Sequence, residues 1–65
     1  MQEMIQISLA AARVNAKLTQ EQAAKHIGVR KETLSSWERG ITYPKTNQLD
    51  KLLKLYKAPK DIVKI

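Results

Sequence analysis

Apolar residues recur at spacings of three and four along most of the chain, which is the periodicity of helices that bury one face. Val, Ile and Thr never alternate with polar residues over the length of a strand, so the pattern predicts an all-α fold. Gly28, Gly40, Pro44 and Pro59 interrupt this pattern and divide the chain into short segments. The sequence therefore predicts one compact five-helix domain over residues 1–65.

The first four predicted helices cover residues 5–16, 19–27, 30–39 and 46–57. A short fifth helix begins at Pro59, because proline suits the first position of a helix. The apolar faces of the first four helices are predicted to share one core, and their residues are Leu9, Ala12, Ala16, Ala23, Ala24, Ile27, Leu34, Trp37, Leu49, Leu52, Leu53 and Tyr56.

Both ends of the second helix carry strong local signals. Thr19 and Gln22 form a Thr-x-x-Gln pattern, in which each side chain bonds the backbone amide of the other residue. Gly28 is the residue type best able to adopt the left-handed conformation that ends a helix, and Gly40 gives the same signal after the third helix.

The second and third helices are joined by a turn so short that they must cross closely. Ala24 is small enough to permit that approach, and Gly28 makes the turn. Leu34 and Trp37 are then placed to close the angle between the two helices from inside. These residues indicate a helix-turn-helix arrangement.

The chain carries 12 Lys and Arg residues against 6 Asp and Glu residues, a formal net charge of +6. On so small a surface this balance favours a polyanionic partner, either nucleic acid or anionic lipid. Lys51, Lys54 and Lys57 recur at every third position, which is typical of the solvated face of an amphipathic helix. We interpret this lysine face as a solubility feature rather than a binding site.

Several classes of function find no support in the residues. There is no cysteine, and His26 has no second histidine or carboxylate at metal-ligand spacing, so neither disulfides nor a metal are expected. No nucleophile, catalytic pair or phosphate-cradling glycine loop points to an enzyme or a cofactor. The longest apolar run, residues 9–12, is far too short for a membrane span, and no signal peptide begins the chain. We expect a soluble, cytoplasmic protein without a membrane partner.

The outer face of the third helix is polar throughout. Arg30 and Lys31 stand in its first turn, where the helix dipole makes a cation unfavourable by about 0.3 to 1 kcal/mol. A phosphate backbone or a guanine edge would account for them, although screening by Glu32 and solvent would also do so. Lys31, Glu32 and Ser36 share this face with Ser35 at its margin, and a plain solvated face would look similar.

The chain resembles the phage-repressor and Cro family of helix-turn-helix domains from Leu9 to Ile62. The segments that carry the resemblance are Ala-Arg-Val-Asn-Ala-Lys-Leu-Thr-Gln at residues 12–20, Ala24, Ile27-Gly28-Val29, Leu34, Trp37-Glu38-Arg39-Gly40 and Pro44. Two positions depart from the family pattern. Ala12 is smaller than the usual leucine, and Lys17 stands where a glycine often ends the first helix, so a left-handed lysine there would carry a steric cost.

The resemblance implies roles for individual residues. Lys31, Glu32, Ser35 and Ser36 would contact base edges, and Gln20 would contact phosphate from the start of the second helix. Arg13 and Glu38 would form a structural ion pair between the first and third helices. The residues suggest further phosphate contacts at Arg30, Arg39, Thr42, Tyr43 and Lys45, although Tyr43 is equally well placed to pack on Pro44.

The sequence thus favours specific binding of double-stranded DNA through the major groove, as in a prokaryotic or phage transcriptional regulator. A protein-interaction module of the same fold, such as an antitoxin or a coactivator, is the alternative, because fold alone does not fix function. A homodimer is a further expectation, either in solution or formed only on DNA, and Val63 and Ile65 are candidate contacts for it.

Overall fold

The computed structural model describes residues 7–64, and within them four α-helices surround one hydrophobic core. In chain order the elements are β1 (Ile7–Ser8), α1 (Leu9–Asn15), α2 (Gln20–Ile27), α3 (Lys31–Glu38), α4 (Thr46–Tyr56), a 3₁₀ turn (Lys60–Ile62) and β2 (Val63–Lys64). α2 and α3 pack against each other, and α1 and α4 complete the core around them. The all-α class is therefore confirmed, with two differences at the ends of the domain.

The first difference concerns where the first helix begins. It was expected from residue 5, but residues 5 and 6 lie outside the described part, and α1 starts at Leu9. Ser8 is the reason, because its hydroxyl oxygen accepts a hydrogen bond from the Ala11 amide at 3.0 Å and caps the helix. Ile7 is extended instead, and pairs in parallel with Val63.

The predicted fifth α-helix is wrong. Pro59 is followed by a single 3₁₀ turn of three residues, closed by a hydrogen bond from the Ile62 amide to the Pro59 carbonyl at 3.2 Å. The chain then becomes extended at Val63, where it pairs with Ile7. A two-residue strand is too short to produce the alternation by which strands are recognised in a sequence, so the pattern could not predict this pairing.

The other three helices follow the sequence closely. Thr19 and Gln22 make the predicted reciprocal cap, with distances of 2.9 and 3.0 Å for its two hydrogen bonds. The third helix is one residue shorter than predicted at each end, since Arg30 and Arg39 are its flanking caps. The fourth ends at Tyr56 rather than at Lys57.

Ten residues form the buried core, and nearly all come from the predicted faces. Leu34 and Leu52 are completely buried at its centre, next to the small side chains of Ala23 and Ala24. The remaining members are Leu9, Ala12, Trp37, Leu53, Tyr56 and Val63. Ala16, Ile27 and Leu49, also expected in the core, are half-buried and pack against it. No helix within residues 7–64 has the length and apolarity needed to cross a bilayer.

A left-handed residue follows the end of every helix in the described chain. Gly28 and Gly40 fill this place after α2 and α3, with φ of 87° and 75°. Lys17 and Lys57 fill it after α1 and α4, with φ of 61° and 54°. A lysine in this conformation is disfavoured by about 1 to 2 kcal/mol, because its Cβ approaches the following carbonyl. The steric cost expected at Lys17 is therefore present, and it recurs at Lys57.

Replacing either lysine by glycine is expected to stabilise the fold. Lys17→Gly relieves the strained conformation but increases the entropy of the unfolded chain, so a net gain of about 0.5 to 1 kcal/mol is expected. Thermal unfolding followed by circular dichroism measures it. Lys51→Gly, the same change at an exposed position inside α4, should instead destabilise by about 1 kcal/mol. Destabilisation by Lys17→Gly as large as that by Lys51→Gly would contradict this account.

Candidate functional site

A partly buried ion pair fixes α3 against the end of α1. The Arg13 Nε lies 2.7 Å from Oε2 of Glu38, and its Nη2 donates to Oε1 of Glu38 at 3.3 Å. The third guanidinium nitrogen, Nη1, donates to the Leu18 carbonyl at 2.8 Å. The two charged side chains are only 15% and 5% exposed. The pair implied by the resemblance is therefore present.

Gln20 joins this ion pair from the start of α2. Its side-chain Nε2 donates a hydrogen bond to Oε1 of Glu38 at 2.9 Å. One hydrogen of the amide is thus used within the protein, while the second remains for another acceptor. The backbone amides of Gln20 and Glu21 belong to the first turn of α2, where no intrahelical acceptor exists for them. This helix end can therefore still donate to an anion through its backbone.

Tyr56 packs near the same ion pair from α4. Its hydroxyl is buried and makes no hydrogen bond with any residue of the described chain. Burial and, secondarily, the negative charge of Glu38 raise the pKa of Tyr56 to about 12, while the Arg13 charge lowers it. Tyr56 is therefore neutral at physiological pH.

The outer face of α3 keeps the polar character that the sequence indicated. Arg30, Lys31 and Glu32 are exposed, whereas Ser35 and Ser36 are half-buried. Arg30 precedes the helix and makes no side-chain cap to it, so the first-turn amides of α3 stay free of side-chain partners in the described region. This helix end thus combines two cations with free amide donors, both of which favour an anion.

The segment after α3 folds back onto this face. Gly40 reverses the chain, and the Ile41 amide then donates to the Ser36 carbonyl at 3.0 Å. The turn brings Thr42 alongside Ser36, where the Thr42 hydroxyl donates to the Ser36 hydroxyl oxygen at 2.9 Å. A residue expected to contact phosphate and one expected to contact a base are thus directly bonded.

An open depression of about 480 Å³ lies between α3 and this segment. It is lined by Arg30, Glu32, Thr33, Ser36 and Thr42. Four of these five are residues singled out in the sequence, and the structure brings them together on one surface. Thr33 was missed, although it precedes Ser36 by three residues and therefore lies on the same side of the helix. Lys31 and Ser35 do not line the depression.

The remaining phosphate candidates lie beyond the depression. Arg39, Tyr43 and Lys45 are all exposed, and Tyr43 keeps 65% of its surface accessible. Most of the Tyr43 side chain is therefore accessible to a partner, and the neighbouring Pro44 is half-buried.

The charge of this surface is strongly positive once the ion pair is taken into account. Residues 30–45 contain four exposed cations and two carboxylates, but Glu38 is neutralised by Arg13. Only Glu32 remains to oppose Arg30, Lys31, Arg39 and Lys45. Because four cations face a single carboxylate, the surface is suited to a polyanion.

Within residues 7–64 no three His, Cys, Asp or Glu side chains come close enough to hold a metal ion.

Comparison with known proteins gives two matches. A helix-turn-helix family model matches residues 9–63, which is nearly the whole described chain. The cryptic phage CTXphi transcriptional repressor RstR of Vibrio cholerae is 43% identical over 47 residues, which make up 72% of this chain. The chain spans 42% of the length of that repressor. No solved structure gives a significant match.

Proposed function

Since the chain belongs to the helix-turn-helix family of the phage-repressor and Cro type, we propose that it binds specific sequences of double-stranded DNA and regulates transcription. In this proposal α3 enters the major groove, which is wide enough to admit a helix. The regulator would be of prokaryotic or phage type, as is the repressor from the Vibrio cholerae phage.

One observation carries the proposal, namely the chemistry of the α3 surface. Arg30 and Lys31 are exposed in the half of α3 where the helix dipole disfavours cations, and no ion pair within the described residues compensates them. Folding therefore gains nothing from them, whereas phosphates and guanine edges would bind them well. A helix face that docks a protein would be expected to expose aromatic or aliphatic anchors instead.

The proposed contacts divide into readers of bases and holders of the backbone. Lys31 would donate to guanine, Glu32 would accept from the amino group of cytosine, and Ser35 and Ser36 would bond neighbouring base edges. Phosphate contacts would fix the register of α3 in the groove without reading sequence. The residues proposed for them are Gln20, Arg30, Arg39, Tyr43 and Lys45, whereas the hydroxyl of Thr42, also expected to contact phosphate, already donates to Ser36.

The proposal includes a homodimer on the operator. A module of this size buries too little surface for tight specific binding on its own. Two copies would occupy half-sites about 34 to 36 Å apart, one turn of the double helix, so the operator would be palindromic. Of the two contacts expected for the dimer, Val63 is buried in the core with only 8% of its surface exposed, so its side chain is not available to a second copy, and Ile65 lies outside the described residues.

One observation favours the second candidate, a protein-interaction module. Ile41 and Tyr43, which flank Thr42 after α3, are 62% and 65% exposed. Exposed apolar side chains of this kind are the anchors that protein interfaces use. On DNA they would instead contact sugars or thymine methyl groups.

Selection of bound sequences from a random duplex library tests the function directly. Recovery of one motif with two-fold symmetry, bound by two protomers per duplex, is the expected result. An asymmetric motif saturated by one protomer would remove the dimer but keep sequence-specific binding. Recovery of no motif at all would leave the protein-interaction module as the better function.

Two substitutions on the selected duplex separate base reading from charge attraction. Lys45→Ala should weaken binding to the selected and a scrambled duplex alike and make the salt slope shallower by about one unit, because one counterion fewer is released. Glu32→Ala should weaken only the selected duplex, by about 1 to 3 kcal/mol. On a surface that attracts DNA by charge alone, removing this negative charge would instead strengthen binding to both duplexes. Equal tightening on both duplexes would therefore exclude Glu32 as a base reader.

A further inference from the structure

We propose that Thr42 is a positioning residue, which fixes the Ser36 hydroxyl as a hydrogen-bond donor toward the DNA. Ser36 would then read a base through an acceptor on its major-groove edge: N7 or O6 of a purine, or O4 of thymine. The inference rests on the proposed function and names which atoms of the operator this part of the surface selects.

The backbone holds the two side chains together. Gly40, with φ of 75°, turns the chain after α3, and the amides of Ile41 and Thr42 approach the Ser36 carbonyl at 3.0 and 3.5 Å. This is the arrangement in which the residue directly after a left-handed residue donates its amide hydrogen to a carbonyl in the last turn of the helix. The Thr42 hydroxyl is thereby placed 2.9 Å from the Ser36 oxygen. The turn thus brings the two hydroxyls within hydrogen-bond distance of each other.

The bond determines what each hydroxyl can still do. A hydroxyl has one hydrogen to donate and two lone pairs to accept with. Thr42 donates its only hydroxyl hydrogen to Ser36. It therefore has no hydrogen left to donate to a phosphate oxygen, which can only accept a hydrogen bond. Ser36 accepts that bond and makes no bond of its own to a carbonyl in the preceding turn within residues 7–64. Its hydrogen remains for an outside acceptor, and accepting from Thr42 polarises it into a better donor.

The surroundings direct that hydrogen toward a ligand. Ser36 and Thr42 line the same open depression as Arg30 and Glu32, so the donor lies beside the groups proposed to contact DNA. Thr42 thus changes role: it was expected to hold phosphate, and the geometry assigns it to orient a base reader.

Four proteins test the proposal: Thr42→Val, Thr42→Ser, Ser36→Ala and the Thr42→Val/Ser36→Ala double variant. Each is titrated on the selected duplex, on a scrambled duplex and on duplexes carrying each other base pair at the position nearest Ser36. Thr42→Val should weaken the selected duplex about three- to tenfold, reduce discrimination among the four base pairs at that position, and leave scrambled DNA unaffected. Thr42→Ser, which keeps the hydroxyl, should retain most of the affinity. In the Ser36→Ala background Thr42→Val should have no further effect.

Three results would overturn the proposal. Equal weakening of selected and scrambled duplexes by Thr42→Val would make Thr42 a phosphate contact. An equal loss of affinity on Thr42→Val in the unsubstituted protein and in Ser36→Ala would show that the two residues act independently. Failure of the unsubstituted protein to distinguish selected from scrambled DNA would remove the proposed function and this inference together, whereas either of the first two outcomes would remove the inference alone. Melting curves of all four proteins check that the exposed Thr42 substitutions leave the fold intact.

Discussion

Arg13→Ala is expected to lower the free energy of unfolding by about 1 to 3 kcal/mol. The substitution leaves the Glu38 carboxylate, only 5% exposed, without the guanidinium that accounts for two of its hydrogen bonds. Breaking a partly buried ion pair from one side costs more than losing a surface pair, because the remaining carboxylate keeps only its hydrogen bond from Gln20 and is poorly hydrated. The Leu18 carbonyl also loses its donor, which loosens the link between α1 and α2.

Urea unfolding followed by circular dichroism measures this loss, with Arg30→Ala as the control. Arg30 is an exposed arginine without an ion pair in the described residues, so its removal should change stability by no more than a few tenths of a kcal/mol. The double variant Arg13→Met/Glu38→Leu separates the loss of the ion pair itself from the penalty of leaving one charge without its partner. It should be less destabilised than Arg13→Ala, because it leaves no unpaired charge behind. A loss of less than about 1 kcal/mol in Arg13→Ala would mean that the pair behaves as a surface pair.

What could be predicted from the sequence was mainly local. The cap at Thr19, the turn at Gly28 and the buried face of α3 each depend on residues within a few positions of one another. Such signals are complete in a short stretch of sequence, because helix geometry fixes which residues meet. The ion pair between Arg13 and Glu38 is the exception, since family resemblance and not spacing indicated it.

What could not be predicted depends on residues far apart or on the direction of single atoms. Ile7 pairs with Val63 from opposite ends of the chain, and neither position carries a strand pattern. The bonds from Gln20 to Glu38 and from Thr42 to Ser36 join residues for which the sequence had indicated other partners, namely phosphate, a base edge or the Arg13 guanidinium. Whether a hydroxyl or an amide faces solvent or a neighbour follows from the packing of whole helices, which residue type does not encode.

Leu34→Ala is the second substitution with a large expected effect. Leu34 is completely buried on the inner face of α3, opposite the polar outer face of that helix. Truncating a buried leucine to alanine removes about 2 to 5 kcal/mol, which includes the cavity left behind. A core of this size supplies about 3 to 5 kcal/mol in total. Most of the variant should therefore be unfolded at 25 °C, whereas Leu55→Ala, at a half-buried position of α4, should remain folded.

The same variant also couples stability to the proposed function. A ligand that binds only the folded state at one hundred times its dissociation constant adds about 2.7 kcal/mol of stability. Addition of the selected duplex should therefore restore much of the helical circular dichroism signal of Leu34→Ala, and a scrambled duplex at the same concentration should restore much less. Equal recovery with both duplexes would mean that charge alone drives refolding on DNA. A melting temperature for Leu34→Ala within a few degrees of the unsubstituted protein would instead show that α3 is not held by this side chain.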